Sequence, residues 1–192
     1  MIIGITGGIG SGKSFVSNLF EDLGVPCYNS DLKAKELMVS DLKLKSSIIN
    51  LLGEQAYEGN SLNRQYISSK VFNDKSLLNS LNNIVHPIVK TDFYNWVNAS
   101  SSLFVLKESA ILFETGSYLE CDKTILVTAP IDVRINRVIK RDNVTKSQVE
   151  SRIKNQWKDE QKKPLADYII KNTEYHETKI RVGEIFNTII SL

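Results

Sequence analysis

Apolar positions change their spacing several times along this chain of 192 residues, and the changes predict alternating strands and helices. Short continuous apolar runs indicate buried strands, whereas apolar residues three or four positions apart indicate helices. Runs of the first kind predict strands at residues 2–6, 25–28, 103–106, 124–128 and 166–171. Strands that alternate with helices usually form parallel sheets, so we predict an α/β fold with a five-stranded parallel sheet covered by helices.

Strand signals disappear over residues 32–98, where apolar residues recur at helical spacing. One helical stripe covers residues 42–52 and is ended by Gly53. A second stripe follows Asp74, which is placed to cap it, and Pro87 breaks that stripe. We therefore predict a helical insertion between strands, which either holds a second substrate or is a purely structural elaboration.

The first predicted strand leads into Gly7-Gly8-Ile9-Gly10-Ser11-Gly12-Lys13-Ser14. This stretch fits G-x-x-x-x-G-K-[ST], the phosphate-binding P-loop, and a helical stripe follows it as the motif requires. Glycines let backbone N–H groups approach phosphate oxygens, and the helix N-terminus adds a partial positive charge. Lys13 is expected at the β- and γ-phosphates and Ser14 as an Mg²⁺ ligand. The loop residues expected to contact the nucleotide are Gly8, Gly10, Ser11, Gly12, Lys13 and Ser14.

Three other polar residues fall at positions where function and structure compete. Asp31 follows the second predicted strand, at the sheet edge where α/β ligands bind, but it also suits the N-cap of the next helix. Glu108 follows the third predicted strand and is either a second-shell Mg²⁺ group or a solvated surface residue. His86 lies within the insertion, and a lone histidine is more often structural than catalytic.

Lys and Arg outnumber Asp and Glu over residues 134–163, where the basic charge of the chain is concentrated. Thr145 and Gln148 form a capping-box pattern, and Arg152 and Gln156 are spaced to share one face of the helix that follows. The segment is either a solvated basic helix pair or a lid that closes cations over a triphosphate.

Composition narrows the class of protein. A formal net charge of +2 does not argue for binding to nucleic acid or membranes. Cys27 and Cys121 lack the spacing of a metal site, which favours a reducing cytoplasm. We find no apolar run of membrane-spanning length and no basic segment of the kind that begins a signal peptide.

The motifs together resemble the dephospho-CoA kinase family over nearly the whole chain. They are Gly7–Ser14, Asp31 with Ala34, Val71-Phe72-Asn73-Asp74, His86-Pro87, Leu112-Phe113-Glu114, Arg141-Asp142, Gln156, and Ala166-Asp167-Tyr168 with Asn172. The resemblance implies a kinase in which a P-loop core binds ATP with Mg²⁺, a helical domain holds dephospho-CoA and a basic lid closes over both. The reaction would phosphorylate the ribose 3′-hydroxyl, the last step of CoA biosynthesis. The implied core comprises residues 1–31, 99–135 and 164–192, the insertion residues 32–98 and the lid residues 136–163.

Residue roles carried over from the resemblance are expectations. Lys13 would act in catalysis at the phosphates, Asp31 would face the acceptor hydroxyl and Arg141 would be a catalytic lid arginine. His86 matches a residue of the CoA-side pocket, and Asn172 matches a residue near the adenine site. We also expect nucleotide contacts from Phe15 and Arg137.

The chain departs from the family pattern at four places. Phe15 stands where the family usually has Thr, and Asn29 replaces the first Asp of Asp-x-Asp. Glu108 and Ala110 replace an Asp and a Pro, and Lys90 replaces an Arg. These departures concern how the metal and the acceptor are tuned, while Lys13, Ser14, Asp31 and Arg141 are all present.

Three other functions are alternatives to that of a dephospho-CoA kinase. Another P-loop nucleotide or small-molecule kinase would share the same three parts and differ only in its acceptor. A GTPase-type switch needs an Asn-Lys-x-Asp guanine motif, which the sequence lacks. A nucleotide-binding regulator without turnover is disfavoured by Asp31 and the cationic lid. The sequence does not indicate an oligomeric state.

Overall fold

The computed structural model describes residues 1–71 and 74–192. Phe72 and Asn73, the centre of the Val-Phe-Asn-Asp motif, lie outside the described residues. The strands are β1 (Ile2–Thr6), β2 (Cys27–Asn29), β3 (Tyr57–Glu58), β4 (Ser61–Leu62), β5 (Val105–Glu108), β6 (Lys123–Thr128) and β7 (Tyr168–Lys171). The α-helices are α1 (Lys13–Glu21), α2 (Ser30–Ser40), α3 (Leu42–Leu52), α4 (Arg64–Val71), α5 (Lys75–Asn98), α6 (Ile131–Asp142), α7 (Lys146–Lys154), α8 (Asp159–Lys162) and α9 (Tyr175–Ile190).

The chain folds as two compact units. One unit comprises Met1–Asn29 with Ser101–Leu192, and the other comprises Ser30–Ser100. The second unit includes residues 32–98, where the sequence predicts a helical insertion, and the role of these residues as an acceptor domain stays a prediction. The predicted lid, residues 136–163, falls inside the first unit, and its separation from the core remains a prediction.

The first unit is built on a five-stranded parallel sheet in the order β2-β5-β1-β6-β7. This confirms the α/β fold predicted from the alternation of strands and helices. The core on this sheet includes Ile3 and Ile5 of β1, Val16 and Phe20 of α1, and Ile185 of α9, all at most 1 % exposed.

The sequence predicts a strand at residues 103–106. The corresponding strand of the structure is β5, which begins two residues later, at Val105. Leu103 is 80 % exposed, so its apolar side chain does not belong to the buried run. The shift makes Glu108 the last residue of β5 rather than the residue after it. All five strands end at one edge of the sheet, because they are parallel, and that edge carries the loop after β1, Glu108 and the residue after β7.

The second unit has a core of its own, made by α2 to α5 and the β3–β4 hairpin. Its buried residues include Leu44, Ile48, Leu81 and Val85. The hairpin is absent from the sequence-based prediction, because two-residue strands are too short to give an alternating pattern.

The break predicted at Pro87 is wrong, because α5 continues through that residue from Lys75 to Asn98. Proline disfavours a helix interior by removing one N–H donor and crowding the preceding turn. The apolar stripe of α5 packs on both sides of Pro87, with Leu81 and Val85 before it and Ile88 after it in the same cluster. Burial along the whole helix therefore outweighs the local penalty. The N-cap predicted for this helix is confirmed, since the Asp74 side chain accepts from the Leu77 N–H at 2.9 Å.

Among the described helices, none combines the length and the apolar character needed to cross a membrane. Cys27 and Cys121 are both free thiols.

Candidate active site

The loop between β1 and α1 has the geometry that its sequence predicts. Gly10 and Gly12 adopt left-handed backbone conformations with φ of 78° and 90°, which residues with a Cβ rarely adopt. A Cβ at Gly12 would also collide with the Asn172 side chain, and one at Gly10 would collide with the Arg134 backbone carbonyl. The glycines therefore permit both the turn and the close approach of neighbouring elements.

Carbonyl groups of this loop are bonded by donors from α6 and from the residue after β7. The Ile9 carbonyl accepts from Arg134 Nε at 2.9 Å. The Ser11 carbonyl accepts from Asn172 Nδ2 at 2.8 Å and from Arg137 Nη1 at 3.3 Å. Carbonyl oxygens repel an anion, so donors that bind them on the protein side leave the loop better suited to receive phosphate.

Glu108 is buried, with 3 % of its surface exposed, and its two carboxylate oxygens accept from two hydroxyls of α1. Ser14 Oγ donates to Oε1 and Ser17 Oγ donates to Oε2, each at 2.9 Å. This excludes the solvated surface role and places Glu108 against the predicted metal ligand. Because the Ser14 proton points at a carboxylate, the lone pairs of that hydroxyl remain for a cation.

Cys27 lies beside this carboxylate network. Burial raises the pKa of its thiol to about 12, against a hydrogen bond with Ser17 that lowers it, and the negative charge of Glu108 adds to the rise. Cys27 is therefore a neutral thiol at physiological pH.

A cavity of about 240 Å³ opens at the phosphate loop. It brings together residues that the sequence places far apart, on the loop, on α1 and on α6. Its lining residues are Gly10, Gly12, Lys13, Ser14, Phe15, Arg137, Val138 and Arg141. Three of the predicted site residues in this lining carry a positive charge, namely Lys13, Arg137 and Arg141. Their charges make the cavity suited to a polyanion. The Lys13 ammonium donates to the Gly7 carbonyl at 2.9 Å.

Arg141 is held at this cavity by its neighbour in the chain. Its Nε and Nη2 donate to the two carboxylate oxygens of Asp142 at 2.7 Å and 3.2 Å, and Arg152 Nη1 donates to Asp142 Oδ2 at 2.9 Å. The hydrogen bond from Arg141 is the main reason that the pKa of Asp142 lies below its ordinary value. Asp142 therefore stays ionised and orients two cations of the predicted lid.

Asn172 is 4 % exposed and supports the phosphate loop directly. Its Nδ2 donates to the Ser11 carbonyl, and its Oδ1 accepts from Thr178 Oγ1 at 3.3 Å. Arg137 reaches the same place, with Nη2 donating to the Asn172 backbone carbonyl at 3.0 Å. The contact with adenine that the resemblance implies for Asn172 stays a prediction.

Asp31 and His86 both belong to the second unit. Asp31 lies in the first turn of α2, but the N-cap role weighed for it is wrong, because the helix begins one residue earlier, at Ser30. His86 lies on α5, and partial burial of its ring lowers its pKa. The roles predicted for both residues stay predictions.

Sequence reasoning missed the contacts that hold the back of the phosphate loop. Gln156 Oε1 accepts from the Ile9 N–H at 2.8 Å. We predicted Gln156 on a helix face with Arg152, which is wrong, because α7 ends at Lys154 and Gln156 lies beyond it. Gln156 is one of the motif residues that resemble the family, which indicated that it has a role. Spacing alone, however, does not show which backbone group its side chain reaches.

Comparisons with known proteins agree on one family. The model of the family described as dephospho-CoA kinase matches residues 1–177. A protein of Bacteroides fragilis named dephospho-CoA kinase is 39 % identical over 171 residues, which are 88 % of this chain and 83 % of that protein. One of Porphyromonas gingivalis with the same name is 37 % identical over 188 residues, 97 % of this chain and 93 % of that protein. The crystal structure of TT1252 from Thermus thermophilus superposes with a TM-score of 0.90 at 30 % identity, covering 98 % of this chain and 96 % of that one.

Proposed function

This chain belongs to the dephospho-CoA kinase family, and we propose that it transfers the γ-phosphoryl group of ATP to the ribose 3′-hydroxyl of dephospho-CoA. The products are CoA and ADP, and the step completes CoA biosynthesis. The family supports dephospho-CoA as the acceptor, and one structural observation supports ATP as the donor. Lys13, Ser14, Arg137 and Arg141 line a single cavity at a glycine loop whose carbonyls are bonded from the protein side.

The phosphate loop binds and orients ATP. Backbone N–H groups at the start of α1 and the Lys13 ammonium attract the β- and γ-phosphates, because the helix dipole and the point charge act together. In this family pattern, phosphoryl transfer needs positioning and charge stabilisation more than covalent chemistry by the protein. Arg141 supplies a cation at the cavity wall, where negative charge on the transferring group is stabilised.

Ser14 would hold Mg²⁺, and Glu108 fits it for that role by accepting a hydrogen bond from its hydroxyl, which leaves the oxygen lone pairs for the cation. When bound, Mg²⁺ neutralises phosphate charge and orients the phosphates. Glu108 acts through Ser14 and is a positioning residue, with its second oxygen fixed by Ser17.

Asp31 would address the acceptor. The 3′-oxygen forms a bond to the γ-phosphorus while the bond from that phosphorus to the β,γ-bridging oxygen breaks, and ADP leaves with the electron pair. The hydroxyl proton passes to the Asp31 carboxylate, which first orients the hydroxyl and accepts the proton late. His86 would contribute to the dephospho-CoA side of the site. The free thiols Cys27 and Cys121 support a reducing compartment, so we place the enzyme in the cytoplasm.

The test is an ADP-release assay with ATP, Mg²⁺ and a panel of acceptors. Dephospho-CoA should be phosphorylated, whereas CoA should not, because its 3′-position already carries a phosphate. Mass spectrometry of the product should show one added phosphoryl group. A folded Lys13→Ala variant is the control for ATP-site chemistry. Turnover of another acceptor in place of dephospho-CoA would overturn the proposed function.

A further inference from the structure

We propose that Lys162 and Glu114 are positioning residues for the phosphate loop. Their ion pair anchors residues 156–162, which we term the lid arm, and the lid arm in turn fixes the Ile9 peptide through Gln156. The proposal rests on the proposed function for the identity of the nucleotide. Its tests measure nucleotide binding and do not involve the acceptor.

Glu114, with 13 % of its side chain exposed, binds the lid arm at two points. Lys162 is fully buried, with 0 % of its side chain exposed, and its ammonium lies 2.7 Å from Glu114 Oε1. The same oxygen accepts from the backbone N–H of Trp157 at 3.1 Å. One carboxylate thus binds the lid arm near its beginning through Trp157 and at its end through Lys162.

Stability alone does not account for a buried ion pair at this place. The cost of removing two charges from water is often as large as their attraction, so a well-packed apolar pair would serve stability equally well. Losing one partner of such a pair, however, leaves the other charge uncompensated, so the two side chains must stay together. Specificity of geometry is therefore the property that Lys162 and Glu114 add to the lid arm.

Side chains bond both backbone polar groups of Ile9, an arrangement that we term the clamp. Gln156 Oε1 accepts from the Ile9 N–H at 2.8 Å, while Arg134 Nε donates to the Ile9 carbonyl at 2.9 Å. Arg134 is 7 % exposed, and its Nη1 lies 3.6 Å from Asp159 Oδ1 of the lid arm, an ion pair without a hydrogen bond. Gly8 completes the fit, because a Cβ there would collide with the Arg134 guanidinium.

The clamp acts on Ile9, which lies between Gly8 and Gly10, two residues that are expected to contact the nucleotide. The Ile9 N–H is bonded to Gln156 of the lid arm, and the Ile9 carbonyl is bonded to Arg134 of α6. Backbone N–H groups bind phosphate only while the loop keeps its conformation, so a displaced Ile9 peptide lowers the affinity for nucleotide. Release of Lys162 from Glu114 therefore weakens nucleotide binding without any direct contact between Lys162 and the loop.

The first experiment measures the affinity for a non-hydrolysable ATP analogue by calorimetry. Lys162→Met should weaken binding by roughly tenfold or more, because the clamp on Ile9 loosens. Lys123→Met is the control. Lys123 pairs with Asp167 at 3.1 Å at the end of β6 that lies away from the phosphate loop. Loss of that ion pair should change the affinity for the analogue by less than about twofold. Affinity within about twofold of wild type for folded Lys162→Met would overturn the proposal.

A double-variant cycle separates positioning from general destabilisation. Gln156→Ala removes the contact that the ion pair is proposed to deliver, so Lys162→Met should cost little further affinity in that background. Fully additive losses from the two substitutions would overturn the proposal. Should Lys162→Met fail to fold, Glu114→Gln with Lys162→Met avoids the uncompensated charge and is expected to show the same weakened binding.

Failure of this proposal and failure of the proposed function give different results. A wild-type protein that binds the analogue but does not phosphorylate dephospho-CoA would refute the function, and the cycle would still test the ion pair. A wild-type protein that does phosphorylate dephospho-CoA, but whose affinity for the analogue is insensitive to Lys162→Met, would refute the ion pair alone.

Discussion

A single carboxylate at the end of β5 orients two hydroxyls on consecutive turns of α1. Glu108 has the length to reach Ser14 with one oxygen and Ser17 with the other, and both contacts are 2.9 Å. The family pattern has Asp at this position. The Glu side chain is longer by one methylene, and in this chain its carboxylate also contacts Ser17. The sequence indicated an acidic residue near the predicted metal ligand Ser14, but it did not indicate Ser17, because a helix position alone does not show what a short side chain reaches.

Glu108→Gln should weaken nucleotide binding in the presence of Mg²⁺ and leave metal-free binding nearly unchanged. The amide can donate to the Ser14 oxygen and occupy the lone pair that the cation needs. Loss of such an outer-shell partner typically costs roughly 10–100-fold in metal affinity or activity. Calorimetry of ATP with Mg²⁺ and with a chelator distinguishes the two states. Equal losses under both conditions would show that Glu108 is structural, and Ser17→Ala serves as a smaller perturbation of the same carboxylate.

Asp31→Asn should lower kcat by roughly 10²–10⁴-fold while ATP binding is retained, because the amide cannot accept the hydroxyl proton. Stability should change little. Asp31 lies in the first turn of α2, where a negative charge interacts with the helix dipole by about 0.3–1 kcal/mol. Thermal unfolding and steady-state kinetics on the same preparation provide the measurement. Turnover within a few-fold of wild type would remove Asp31 from the acceptor-side mechanism.

At the scale of elements, apolar runs and helical stripes predicted the strands of the sheet and the helical insertion. They failed where local signals were outweighed or too short. Packing on both sides of Pro87 keeps α5 continuous, and the β3–β4 hairpin is too short for a periodic signal. The capping box of Thr145 and Gln148 is confirmed, because it is a local arrangement with its own pair of hydrogen bonds.

The helix α6 presents Arg141 to the cavity next to a carboxylate that also binds Arg152. Arg141→Ala should reduce kcat by about 10²-fold or more, with a smaller change in ATP affinity, because charge develops on the transferring group in the transition state. Arg141→Lys should restore activity only in part, since lysine lacks the planar fork. Arg152→Ala is the control on the same Asp142 carboxylate and should have a smaller effect on kcat. A loss confined to KM for ATP would make Arg141 an ordinary binding residue.

At the scale of the whole molecule, the described residues form two compact units, and the predicted site residues are divided between them. The phosphate loop, Glu108 and Arg141 belong to the unit that contains the sheet, whereas Asp31 and His86 belong to the helical unit. The spacing of apolar residues predicted this division, since strand signals end and return at its two borders. The sequence did not predict the buried Lys162–Glu114 pair, because both residue types are ordinarily exposed and their burial depends on tertiary packing.

His86→Ala should weaken dephospho-CoA binding by roughly tenfold and leave ATP binding within about twofold, if the helical unit holds the acceptor. The two ligands are titrated separately by calorimetry, so that turnover does not obscure the affinities. Equal losses for both ligands would assign His86 a structural role. His176→Ala is the matched control, because His176 lies on α9 in the other unit.

Partial burial of the His86 ring also predicts how the free energy of unfolding depends on pH. Its pKa in the folded protein lies below the ordinary value of 6.5, because burial disfavours the charged ring. Below pH 6.5 the unfolded chain therefore takes up the His86 proton before the folded protein does, and stability falls as the pH decreases through this window. At pH 8 the ring is neutral in both states and contributes no pH dependence. We expect His86→Gln to reduce the loss of stability between pH 6.5 and 5 relative to wild type, as measured by urea unfolding at each pH. An unchanged slope in the variant would contradict the lowered pKa, which NMR titration of the His86 ring measures directly.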